Sequence, residues 1–189
     1  MKKVGIEFRI LDFLQGIRTP VGDAVMCFIT KLGDAGKIWI VLAVILLLIP
    51  KTRKTGMVMI AALCIDLVVC NGILKNLFAR IRPCDVNTQI QLLIARPDDF
   101  SFPSGHTAAS FAAVAALCFS GERKLWKPAL VLACLIAFSR LYLYVHYPTD
   151  ILGGILVGIA AGYAGCIIIW QRMKWNEGHH SLEKRDRDS

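Results

Sequence analysis

The sequence predicts an all-α integral membrane protein, a bundle of six transmembrane helices preceded by an amphipathic helix at the membrane interface. Three observations carry that prediction. Hydrophobic residues make up 56% of the 189-residue chain and charged residues only 19%, which is too apolar for an ordinary soluble domain. The apolar residues fall in successive runs, several near bilayer length, divided by Gly, Pro and basic turns. Lys and Arg are distributed very unevenly among those turns, as membrane topology demands.

Residues 1–18 come first. Val4, Phe8, Leu11 and Leu14 form an apolar stripe that Ile6, Ile10, Phe13 and Ile17 widen, while Glu7, Asp12, Gln15 and Arg18 fall on the other side. That pattern predicts an interfacial amphipathic helix, and its charges interrupt any signal-peptide core. The first span, 20–32, is short, with Asp23 and Lys31 near its ends and a Gly33-Asp34-Ala35-Gly36 turn behind it. The second is built on 38–49 and stopped by Pro50, with a basic turn at Lys51–Lys54. The third covers 57–78, followed by a mainly polar loop, 79–102. The alanine-rich fourth span runs over 103–120, and a second basic turn over 122–127. The fifth occupies 128–145 and the sixth 150–170, where Gly154, Gly158 and Gly162 make a small-residue stripe for close helix packing. The six-helix membrane domain is thus expected in 19–172. A charged tail, 173–189, is expected to lack fixed structure, with its His179-His180 pair not a metal site. Seven singly placed cysteines read as apolar packing residues, Cys84 alone lying in a polar loop.

With six spans both termini share a side. Fifteen of the 22 Lys and Arg residues then fall on the terminal side and seven on the other. The positive-inside rule makes the termini cytoplasmic, in a protein expected in the plasma membrane. The net charge of +8 therefore has a topological origin and calls for no nucleic-acid partner.

The same threading gathers three segments at the outer face. Lys75 and Arg82 are seven residues apart and share a helix face if the helix persists to Pro83. Pro103-Ser104-Gly105-His106 suits a helix start, where exposed amides bind anions. Arg140, His146 and Asp150 lie at the junction of the last two spans. There the fifth helix is expected to end near His146 and the sixth to be capped by Thr149 or Asp150. Ionisable groups at such a depth mark a functional site by default. Asp150 can hold one nitrogen of His146 and leave the other free to attack. Three cations, a helix N-terminus and two histidines describe phosphoryl chemistry, one imidazole attacking and one protonating the leaving oxygen. The cations also favour a neutral, nucleophilic His146. Arg80 falls on another helical face and is expected to meet solvent or headgroups. Asp66 lies about half a turn from the Lys75 face and is expected to be buried with a hydrogen bond or protonated. Asn71 falls near the Lys75 face.

Lys75-x6-Arg82-Pro83, Pro103-Ser104-Gly105-His106 and Ser139-Arg140-x5-His146-x3-Asp150, in that order, resemble the three-part signature of the type 2 phosphatidic acid phosphatase superfamily. That family includes bacterial membrane lipid phosphatases and vanadium haloperoxidases. The resemblance implies His146 as the nucleophile forming a phosphohistidine, Asp150 as its orienting group and His106 as the general acid. Lys75, Arg82, Ser104, Gly105 and Arg140 would hold the phosphate oxygens. It implies no metal and no cofactor, and a lipid phosphate or diphosphate substrate whose tail stays in the bilayer. Undecaprenyl diphosphate is the expected substrate by analogy. Phosphatidylglycerophosphate or phosphatidate hydrolysis, lipid phosphotransfer and non-enzymatic phosphate binding are the alternatives.

Overall fold

In the computed structural model the described residues are 5–187, with side chains as far as Lys174, so Val4 and the His179-His180 pair lie outside them. The fold is all-helical among these residues: α1 (Ile6–Gly16), α2 (Pro20–Gly33), α3 (Lys37–Leu48), α4 (Arg53–Asp66), a π-helical continuation (Leu67–Leu74), α5 (Lys75–Phe78), α6 (Pro83–Val86), α7 (Gly105–Phe119), α8 (Trp126–Tyr142) and α9 (Pro148–Arg187). The tail expected to lack structure continues α9. Two segments, Arg53–Val86 and Pro148–Lys174, are long and apolar enough to cross a membrane. Val41, Leu48, Leu77, Leu152, Leu156 and Ile168 are exposed, an apolar exterior that suits lipid.

The alanine-rich α7 is the axis. Ala108, Ala112, Ala113 and Ala116 are fully buried, and the glycines of α9 let the two backbones touch. A Cβ on Gly158 would stand 2.4 Å from the Ala108 carbonyl oxygen, and one on Gly162 2.4 Å from the Ala115 Cβ. Gly165 does the same against α4, where a Cβ would meet the Ala62 amide nitrogen at 2.9 Å. This close contact brings the start of α7 beside the start of α9, with the Ser104 amide donating to the Asp150 carbonyl at 3.1 Å.

Five elements run between the two ends of the bundle: α3, α4 through α5, α7, α8 and α9. The end away from the site is closed by a hydrogen bond from Thr55 to Glu122 (3.1 Å) and by Phe119 against Tyr163. The expected first span behaves differently. A Cβ on Gly22, near the start of α2, would meet the Tyr142 hydroxyl at 2.8 Å. At the other end of α2, one on Gly33 would meet Ile136 at 2.9 Å and His106 at 3.0 Å. Both contacts are at the site end, where Tyr142 closes α8 and His106 opens α7, although Gly22 and Gly33 are about 17 Å apart along α2. So α2 lies obliquely across the site end and does not traverse the bundle. Its polar residues explain this, because Asp23 pairs with Arg18 and Tyr142, and Thr30 accepts from Arg140.

Helix α1 lies at the same end, and its polar side faces the protein. Glu7 accepts from Arg80 and Thr149, Asp12 from Tyr144, and Gln15 donates to the Tyr142 carbonyl. Leu11 and Leu14 are buried, while Ile6, Ile10, Phe13 and Ile17 are exposed. With α1 and α2 at the site end, the fifteen-to-seven charge count no longer describes the molecule.

Candidate active site

The π-helical stretch and the break after it place Lys75 and Arg82. Helix α5 stops at Ala79, which adopts a left-handed φ of 44° while its amide caps the Lys75 carbonyl. The helix therefore does not persist to Pro83. Arg82 is extended ahead of the proline and returns to the site from the loop. Both cations nevertheless meet, because both bind the Asp99 carboxylate. Arg82 also donates from Nε to the Asp99 carbonyl at 2.8 Å. Asp99 was invisible to sequence reasoning, being one of three aspartates in a polar loop. Burial alone would raise its carboxyl, but the Lys75 hydrogen bond and the Arg82 and Lys75 charges prevail and hold it at about 2.

Helix α8 ends at Tyr142, four residues earlier than expected, and Leu143–Tyr147 form a buried turn. Tyr144 takes a left-handed φ of 61°, held by hydrogen bonds with Asp12 (2.7 Å) and Asn87 (3.2 Å). The turn presents His146, which is buried. Its Nδ1 faces Asp150 Oδ2 at 3.4 Å and its Nε2 faces Arg82 Nη1 at 3.1 Å. Because guanidinium only donates, Nε2 is an acceptor and the proton resides on Nδ1. Burial first, then Arg82 and Arg140, push this imidazole down to about 3 against the pull of Asp150, so it is neutral at pH 7.

Pro148 opens α9, and Asp150 caps it in reverse, accepting from the Tyr147 amide at 2.8 Å. The carboxylate also accepts from Ser101 Oγ at 2.5 Å and from Arg80 Nη1 at 2.6 Å. Arg80 is thus only half-buried but is tied into the site. Its guanidinium lies 4.0 Å over the Tyr147 ring and binds Glu7 at 2.7 Å, linking α1 to the carboxylate behind His146. The Ala79 turn had removed it from the helical face on which it was placed.

Ser104 is buried and accepts from Thr107 at 3.0 Å. A Cβ on Gly105 would stand 2.8 Å from Asn71 Oδ1 and 3.6 Å from Lys75 Nζ, so the glycine lets both polar side chains approach the start of α7. His106 Nε2 faces Asp34 Oδ1 at 2.9 Å. Arg140, 3% exposed, donates to Thr30 at 2.5 Å and leaves Nε without a partner among the described residues. All eight sequence-predicted residues therefore converge, joined by Asp99, Arg80, Ser101 and Asp34.

Beside them opens a cavity of about 670 Å³. Lys75, Asp99, Gly105 and His106 line its polar end; Ile40, Val44, Ile60, Leu63 and Leu67 line the rest. Asp66, 2% exposed, also faces it with Oδ1 unpartnered among the described residues. An α-helical count put Asp66 half a turn from Lys75. The wider i→i+5 winding of Leu67–Leu74 carries Asp66, Asn71 and Lys75 to the same cavity.

The family model of the PAP2 superfamily matches residues 54–174. The chain belongs to the PAP2 superfamily. It is 31% identical over 164 residues to an undecaprenyl-diphosphatase of Bacillus subtilis, covering 84% of this chain and 81% of that one. It is similar in fold to LpxE of Aquifex aeolicus, with a TM-score of 0.74, 26% identity, and coverage of 87% of this chain and 97% of that one. It is also similar to a transmembrane PAP2-type phosphatidylglycerolphosphate phosphatase of Bacillus subtilis, with a TM-score of 0.69, 27% identity, and coverage of 84% and 82%. The phosphatases of this superfamily are hydrolases.

Proposed function

We propose that this PAP2 protein removes a phosphate from a lipid phosphate or diphosphate through a phosphohistidine on His146, without a metal. One observation carries the proposal. Arg82 contacts the neutral Nε2 of His146 and, with Lys75, grips a carboxylate beside it, so nucleophile and anion cradle share one guanidinium.

The substrate phosphate displaces the Asp99 carboxylate. Lys75, Arg82, Arg140, the Ser104 hydroxyl and the Gly105 amide take up its oxygens. Nε2 attacks phosphorus as the bond to the leaving oxygen breaks, and His106 gives that oxygen its proton. Asp150 holds the Nδ1–H and offsets the charge on the ring. Water, giving a proton back to His106, then attacks the phosphohistidine and releases phosphate. The apolar part of the cavity suits a lipid tail lying beside its headgroup.

Undecaprenyl diphosphate is the first substrate we assign, on the strength of the relative so named. The five traversing elements support a five-span topology, in which α1 and α2 sit in the outer leaflet on their exposed apolar residues. The basic turns at the far end, Lys51–Lys54 and 122–127, put that end and the tail in the cytoplasm of a plasma-membrane protein. The N-terminus and the site then face out, a revision of the expectation that both termini are cytoplasmic. The catalytic unit extends beyond 19–172 to include α1, because Glu7 holds Arg80.

Phosphate release tests this reading, using purified protein in detergent with a chelator and its His146→Ala variant. The panel is undecaprenyl diphosphate, phosphatidylglycerophosphate and phosphatidate. Release that the variant lacks supports the hydrolase, and the ranking names the substrate. Silence on all three would leave phosphotransfer or binding.

A further inference from the structure

The Gly33–Gly36 turn is built against the start of α7. Ala35 and Gly36 both have left-handed φ values, 51° and 66°, which turn the chain sharply between α2 and α3. Gly33 has no room for a side chain, being closed off by His106 Cδ2 and Ile136. Left-handed geometry in a non-glycine residue such as Ala35 is costly and persists where the surroundings impose it. Its product is the Asp34 carboxylate at 2.9 Å from His106 Nε2, with no hydrogen bond to Nδ1 among the described residues. The site thus contains two imidazole–carboxylate pairs, His146–Asp150 and His106–Asp34.

We propose that Asp34 is the positioning residue for the second histidine. It holds the Nε2–H of His106 so that Nδ1 faces the leaving oxygen and delivers the proton. This rests on the assignment of His106 as general acid made above. The proton passes from Nδ1 to the oxygen as the phosphorus–oxygen bond breaks, Asp34 keeps its hydrogen bond throughout, and water restores the proton in the hydrolytic step.

A group that serves the leaving-group proton matters only when the leaving group needs one. From phosphatidate the diacylglycerol leaves as an alkoxide and requires protonation; from p-nitrophenyl phosphate a stable phenolate leaves and does not. Asp34→Asn, assayed as the full chain in detergent, is expected to lower kcat on phosphatidate by about 100-fold. On p-nitrophenyl phosphate the loss is expected to stay below about threefold, with Asp34→Glu restoring most of the phosphatidate rate. In a His106→Asn background Asp34→Asn should cost nothing further, because residues acting as a unit are not additive. Equal losses on both substrates, an unchanged phosphatidate rate, or an additive double variant would each overturn the assignment. A wild type silent on both substrates and on undecaprenyl diphosphate would instead overturn the phosphatase reading on which it rests.

Discussion

In the proposed mechanism the substrate phosphate displaces Asp99 from Lys75 and Arg82, so removing its charge should tighten anion binding. Its carboxyl is held at about 2, against an ordinary value of 3.8, a gap that corresponds to about 2–3 kcal/mol before solvent screening. The side chain is 47% exposed, however, and solvent screens a pair of that kind to about 1 kcal/mol. An incoming anion that no longer competes with Asp99 gains about that amount, a factor of about five in affinity. The sign with pH follows from the depressed value. The bridge is fully formed above about pH 4 and is lost only as pH falls toward 2, so the difference should be constant from pH 5 to 8. Competitive inhibition of phosphate release by orthovanadate, measured for wild type and Asp99→Asn, reads the effect directly. A Ki about fivefold lower in the variant is expected. An unchanged or higher Ki would show that Asp99 helps to hold the anion, and would refute the displacement step.

Arg80→Ala leaves the buried Asp150 carboxylate one charged donor short and unties Glu7; kcat should fall about tenfold or more with little change in KM, and Arg80→Lys should recover part of it. His146 is held neutral well below pH 6.5, so it should impose no acid limb on kcat/KM between pH 5 and 8. An inflection near 6.5 that survives in a His106→Asn variant would contradict this. Gly158→Ala forces a Cβ to within 2.4 Å of the Ala108 carbonyl and should destabilise by about 1–3 kcal/mol, lowering Tm in detergent. Gly16→Ala, with open space at its Cβ position, is the control and should leave Tm unchanged.

The eight motif residues were legible because each reacting group needs a particular residue type at a fixed place near a helix end. The Gly154–Gly158–Gly162 stripe was legible because close packing demands small residues at helical spacing. What the pattern could not show was backbone that leaves the α-helical period. The π segment turned Asp66 to the cavity, and Ala79 turned Arg80 and Arg82 inward. Helices α1 and α2 were misplaced for a different reason. The apolar stripe of α1 reports only that one side is greasy, and the short apolar run of α2 was read as a span although Asp23 and Thr30 lie within it. Instead Glu7, Asp12, Asp23 and Thr30 satisfy partners on the bundle. Asp34 and Asp99 lie in turns, where an aspartate is ordinary, and only their long-range partners distinguish them.

The central claim is that His146 carries the phosphoryl group. Mass spectrometry of peptides from protein quenched at high pH during turnover, where phosphohistidine survives, tests it most directly. A phosphorylated peptide containing His146 is expected in the wild type, with none formed and no phosphate released by His146→Ala. Sustained phosphate release by His146→Ala, or a phosphoryl group found on another residue, would contradict it.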